Sequence, residues 1–153
     1  MASVSYDQIF SLFLGNITDY SLARNDNSTT LALMTEWLHK ALSRPYLRRL
    51  FSSISIDDIT STIEFSLGTA VEDGADSDFV AYVVSKAMVV EWLEPEVKKT
   101  SLIKQNFAGK DQKFYSQASH LAEITSMLTN AKAEVRSLIC DRGYIYNPYL
   151  EDE

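Results

Sequence analysis

Residues Phe79–Leu93 read FVAYVVSKAMVVEWL, and all but Ser85, Lys86 and Glu91 are apolar or aromatic. At helical spacing the apolar side chains fall on every face, so a helix here is expected to be sheathed nearly all round. Pro95 stops or kinks it within a turn. A polar, lysine-bearing stretch, Glu96–Asn106, then predicts a further helix with Val97, Leu102 and Ile103 inward. Ala108–Asp111 is a turn, and a long last helix runs from about Lys113 to Arg142. Its seam is Phe114, Ala118, Leu121, Thr125, Leu128, Val135 and Ile139. One sheathed helix beside a long, partly exposed one suits an interaction scaffold better than a catalytic pocket.

Working outward towards the N-terminus, Tyr6–Leu14 predicts a short amphipathic helix carrying Ile9, Phe10, Leu12, Phe13 and Leu14, closed by Gly15 or Asn16. Ile17–Asn27 is a connector. Ser28 or Thr29 can cap a second helix reaching Ser43, with Leu31, Leu33, Met34, Trp37, Leu38, Ala41 and Leu42 at helical spacing. Pro45 ends it, and Tyr46–Phe51 adds a turn. Ser52–Leu67 changes character: Ile54 and Ile56 alternate with polar residues, as do Ile63, Phe65 and Leu67 beyond Asp57-Asp58. That pattern predicts two short strands in a hairpin-like insert, although Asp57-Asp58 can also cap a short helix. Gly68–Ser77 is an acidic loop, with Asp76 or Ser77 capping the sheathed helix. The expected class is therefore mainly α. It is a bundle of four to five helices forming a single domain over residues 1–142, with an insert at 52–75 and an extended tail at 143–153.

The 153 residues are 46% apolar and 23% charged, ordinary for one globular domain with a real core. The net charge of −7 argues against a free-standing nucleic-acid binder, which needs a basic face. Residues 1–78 carry 5 basic and 11 acidic side chains, residues 79–153 carry 9 and 10, so the acidity lies in the first half. The lone Cys140 excludes an intramolecular disulfide and, beside Leu138 and Ile139, reads as a half-buried structural thiol. The N-terminal residues show no basic segment followed by an apolar core, so no signal peptide is expected. The run at 79–93 is too short, and too charged, to cross a membrane.

Three constellations invite chemistry. Glu36-x-x-His39 and His120-x-x-Glu123 are helical carboxylate–histidine pairs of the kind found in di-metal bundles. The second is reversed, and beyond Glu91 no further inward carboxylate offers itself, so surface or capping histidines are expected and no metal is assigned. No phosphate-binding glycine loop or nucleophile elbow occurs. Arg44, Arg48 and Arg49 around Pro45, and Lys98, Lys99, Lys104, Lys110 and Lys113, are basic clusters expected to meet acidic surfaces of neighbouring subunits. The strongest binding signal is the tail: Tyr144, Ile145, Tyr146, Pro148, Tyr149 and Leu150, followed by three acids. Tyrosines are favoured interface anchors, and Pro148 biases Asn147 towards extended backbone.

Several segments together resemble a group of small tailed-bacteriophage neck proteins, the head–tail connector, adaptor or head-completion family. They are Val4-Ser5-Tyr6-Asp7, Ile17-Thr18-Asp19-Tyr20, Met88-Val-Val-Glu-Trp-Leu93 with Pro95, Lys110-Asp111, and Phe114-Tyr115-Ser116-Gln117-Ala118 with His120-Leu121. The match skips about Ser52–Ala75. None of these strings is catalytic; they are packing and turn signatures. The resemblance implies a non-enzymatic virion part without cofactor, assembled in the bacterial host cytoplasm. It implies a ring, usually of twelve copies, joining the portal protein to the adjoining neck or tail protein, with DNA met only as it passes through the lumen. The C-terminal segment would grip the portal. The alternatives are another neck component, such as a stopper or tail terminator, a cytosolic interaction module, or a helical di-metal enzyme.

Overall fold

A strand of four residues opens the chain and leads straight into a helix. The computed structural model describes residues 1–17, 22, 24–106 and 111–142, with side chains outside 100–106 and 111–118. The elements are β1 (Ala2–Ser5), α1 (Tyr6–Gly15), α2 (Asn27–Ser43), α3 (Pro45–Arg48), β2 (Phe51–Asp57), β3 (Thr62–Leu67), α4 (Asp73–Asn106) and α5 (Asp111–Asp141). The protein is mainly helical with a small antiparallel sheet, as its sequence pattern predicts.

Each helix start has a local cause. Ser5 caps α1 by accepting from the Gln8 amide at 3.3 Å, and the helix buries Tyr6, Ile9, Phe10 and Phe13. Asp26, not Ser28 or Thr29, caps α2: its carboxylate accepts from the Thr29 amide at 3.2 Å and from the Ser28 hydroxyl at 2.6 Å. An ionised oxygen pair serves both donors and suits the positive helix end, which a hydroxyl cannot do as well. Those two bonds, the Ser28 hydroxyl foremost, hold the Asp26 carboxyl below its ordinary range. Pro45 opens α3 at the position where a missing N–H costs nothing.

The sheet order is β1-β3-β2, both pairs antiparallel, with Val4 opposite Ile63 and Ile56 opposite Ile63 on the other side. β1 was not foreseen, because Ala2–Ser5 is too short an alternation to read. Its effect is large. The hairpin is not an appendage: Ile63 and Phe65 are fully buried in the same core as α1, α2 and α4.

Four further expectations are corrected. The sheathed helix begins at Asp73, inside the stretch expected to be loop, and Pro95 does not stop it; α4 continues to Asn106. Pro95 is exposed and forfeits one backbone bond, while the residues just before it, from Ala87 to Leu93, are all buried and hold the helix in place. On α5, the seam facing α4 passes through Ile124, Leu128, Ala131, Val135 and Leu138, while Thr125 is exposed and its hydroxyl donates to the Leu121 carbonyl at 2.7 Å. Cys140, expected to be half-buried, is exposed.

Candidate functional site

Where α2 turns into α3, the chain passes against the middle of α4, and a charge cluster forms at the junction. Glu91 is 4% exposed in the apolar wall of α4. Arg44 reaches it with both arms of the guanidinium, Nε to Oε1 at 2.6 Å and Nη2 to Oε2 at 3.0 Å. The same Nη2 donates to Glu94 at 3.2 Å, and Glu94 receives Lys132 of α5 at 3.3 Å. A buried carboxylate costs several kcal/mol unless its lone pairs are taken up, and the bidentate fork does this. The hydrogen bond to Glu91 is the main reason that the Arg44 guanidinium is held above its already high range. The α2–α3 junction, α4 and α5 are thus tied through one arginine and one lysine. Arg44 was expected to meet a neighbouring subunit; it is instead committed within its own chain, because Glu91 needs a partner on folding.

Beside this clamp lies a cleft of about 260 Å³ lined by Arg44, Tyr46, Val90, Glu94, Lys132 and Arg136. Three cations face one lining carboxylate. Arg136 makes no ion pair among the described residues. Burial, and then the Glu91 charge, push the Tyr46 hydroxyl up, opposed by Arg44 and Arg136. The cleft is therefore a recess with a net positive rim, suited to an acidic or amphipathic partner group.

A second cluster fixes the tip of the β2–β3 hairpin. Tyr6 donates its hydroxyl to Asp58, and His39 Nε2 lies 2.9 Å and 3.1 Å from the two Asp58 oxygens. Asp57 accepts from the amides of Ile59 at 2.9 Å and Thr60 at 3.3 Å. The Tyr6 amide donates to the Ser61 carbonyl at 2.9 Å, and Ser61 takes a left-handed backbone, φ 54°. Burial first, then the bond to Asp58, raises the Tyr6 hydroxyl, and the Tyr6 bond, followed by His39, lowers the Asp58 carboxyl. On this locked turn Ile59 stands 96% exposed.

The sequence-expected residues distribute as follows. Glu36 pairs with Lys40 at 2.6 Å, and His39 pairs with Asp58, not with Glu36. His120 and Glu123 are exposed on α5, and Glu91 is occupied by Arg44. Among the described residues no three His, Cys, Asp or Glu side chains are grouped to hold a metal ion. Tyr144, Ile145, Tyr146, Pro148, Tyr149 and Leu150 lie outside the described residues. The root of that tail is described: Arg142 bonds to the buried Asp76 and stacks 4.8 Å over the Phe79 ring, while Asp76 also accepts from the Val71 amide at 3.1 Å. Asp76, expected as a helix cap, is thus the anchor that joins the end of α5 to the start of α4.

Sequence reasoning missed the Arg44 cleft and the Ile59 tip. A signal existed for each: a lone glutamate inside an apolar helix demands a cation from elsewhere, and an isoleucine directly after an Asp-Asp turn has no strand partner to cover it. Comparison with protein-family models, curated proteins and solved structures finds no match. Among the described residues no helix is long and apolar enough to cross a membrane.

Proposed function

We propose that this chain is a structural subunit of a tailed-bacteriophage neck, a head–tail connector or adaptor that joins the portal to the next neck or tail protein as a ring without catalytic activity. The observation that carries the reading is the resemblance of Met88–Leu93, with Val4–Asp7 and Phe114–Leu121, to such proteins. Two of these segments have a definite physical role here. Met88–Leu93 is buried along its length and holds the clamped Glu91, and Ser5 and Tyr6 cap α1 and secure the hairpin tip. Both preserve packing, as a scaffold protein requires. The pinned Arg142 gives the aromatic tail a fixed point of departure, which favours its use as a portal-gripping arm.

The test is imaging of the neck of purified virions, together with a protein truncated after Arg142. The expected result is a ring of this subunit beneath the portal, and a truncated chain that folds but does not join heads to tails. Absence of the protein from the particle overturns the reading. A ring in a different neck layer supports the stopper or tail-terminator alternative.

A further inference from the structure

Ile59 is 96% exposed on an otherwise well-tied turn, and no side chain among the described residues covers it. The turn is held from both sides: Asp57 ties down the amides of Ile59 and Thr60, and Asp58 is gripped by Tyr6 and His39. Little conformational freedom remains to be lost when such a tip is buried, which lowers the entropic cost of docking. Its flanks are acidic, with Asp57 and Asp58 before it and Glu64 further along β3, all exposed. The recess at Arg44, Tyr46, Val90, Glu94, Lys132 and Arg136 has the opposite character: three cations against one carboxylate, with the apolar Val90 and the aromatic Tyr46 in its lining. His39, which holds the knob, lies within α2, whereas Arg44, which lines the socket, is the residue that closes the end of α2, and none of the socket's lining residues belongs to the β2–β3 turn.

We infer that the Ile59 tip of one copy seats in the Arg44–Arg136 cleft of the next. Ile59 enters against Val90 and Tyr46, and Asp57 faces Arg136, the lining cation with no ion pair among the described residues. The two surfaces are different patches of the same chain, so the contact is head-to-tail; repeated, it closes into a ring or continues as a filament. The inference rests on the ring reading above and supplies the contact that reading lacks.

The experiment uses the full chain with Cys140→Ser as background, so that the exposed native thiol does not interfere. Ile59→Cys and Arg136→Cys are introduced singly and together, then oxidised with the protein at self-associating concentration. The double variant should give a ladder of dimers, trimers and higher species on a non-reducing gel, and each single variant no more than dimers. Ile59→Arg should weaken self-association by roughly tenfold or more, read by sedimentation, with an unchanged thermal unfolding curve. If Ile59→Arg assembles as the parent does, or the double variant stops at dimers while the parent forms larger species, the knob and socket are wrong and the ring reading stands. If the free parent sediments as a monomer, the ladder is sought in purified particles. A ring there without a ladder overturns the contact alone, and no ring there overturns both.

Discussion

β2 and β3 are spelled alike and are buried differently. In each, isoleucine or phenylalanine alternates with polar residues, yet β3 buries Ile63, Phe65 and Leu67 while β2 leaves most of its length exposed, Ile56 included. The reason is position. β3 is the central strand, paired to β1 on one side and β2 on the other, and its inner face lies in the core with α1, α2 and α4. β2 is an edge that packs mainly on β3, whereas the other edge, β1, still buries Ala2 and Val4 because α4 covers it. Alternation states that a strand has two unlike faces; it does not say how much protein covers the better one.

The largest effect expected from this contrast is at Phe65. Phe65→Ala should destabilise the protein by about 3–5 kcal/mol in denaturant unfolding, as for any large aromatic removed from a packed core. A loss under 1 kcal/mol would mean that the hairpin is peripheral after all. The same rule of position applies to charge, where buried Glu91 and rim Glu94 share Arg44. Arg44→Ala should cost about 2–3 kcal/mol, less than for a wholly buried pair because Arg44 is half in solvent, and Glu91→Gln in that background should recover part of it. No recovery would show that Arg44 acts by packing alone. On the edge strand, Ile54→Ala should cost only about 1 kcal/mol, since Ile54 is half-buried.

A smaller effect is expected at the tip, and it depends on pH. The Asp58 carboxyl is lowered by Tyr6 and then by His39, so the ionised form is favoured in the folded protein. Its stabilising contribution is full above the unfolded aspartate pKa of about 3.9 and fades as pH falls through the lowered folded value. Asp58→Asn should therefore be less stable than the parent at neutral pH, with the gap closing below pH of about 4. A gap that persists in acid would assign the loss to geometry and not to charge. The smallest effect is at Ile59: Ile59→Ser should change stability by no more than about 0.5 kcal/mol, whatever it does to assembly.

How much was legible follows the range of the interactions concerned. The helical class, the sheathed character of Phe79–Leu93, the hairpin-like alternation at 52–67 and the turn at Asp57-Asp58 are local patterns of apolar spacing and turn chemistry, and the sequence alone determined them. The start of α4 at Asp73 and its passage through Pro95 were not legible: a helix gains its stability from what it packs on, and tertiary burial outweighs one lost backbone bond. β1 was hidden because four residues carry too little pattern, and only pairing with β3 makes them a strand. Glu91 announced that a cation was needed but not which one; Arg44 lies 47 residues away in the chain, and only the packing of α2 on α4 selects it. The Ile59 tip and the Arg44–Arg136 cleft belong to the same class. Each residue is ordinary in sequence, and what distinguishes it is exposure or neighbourhood, which are properties of the tertiary structure.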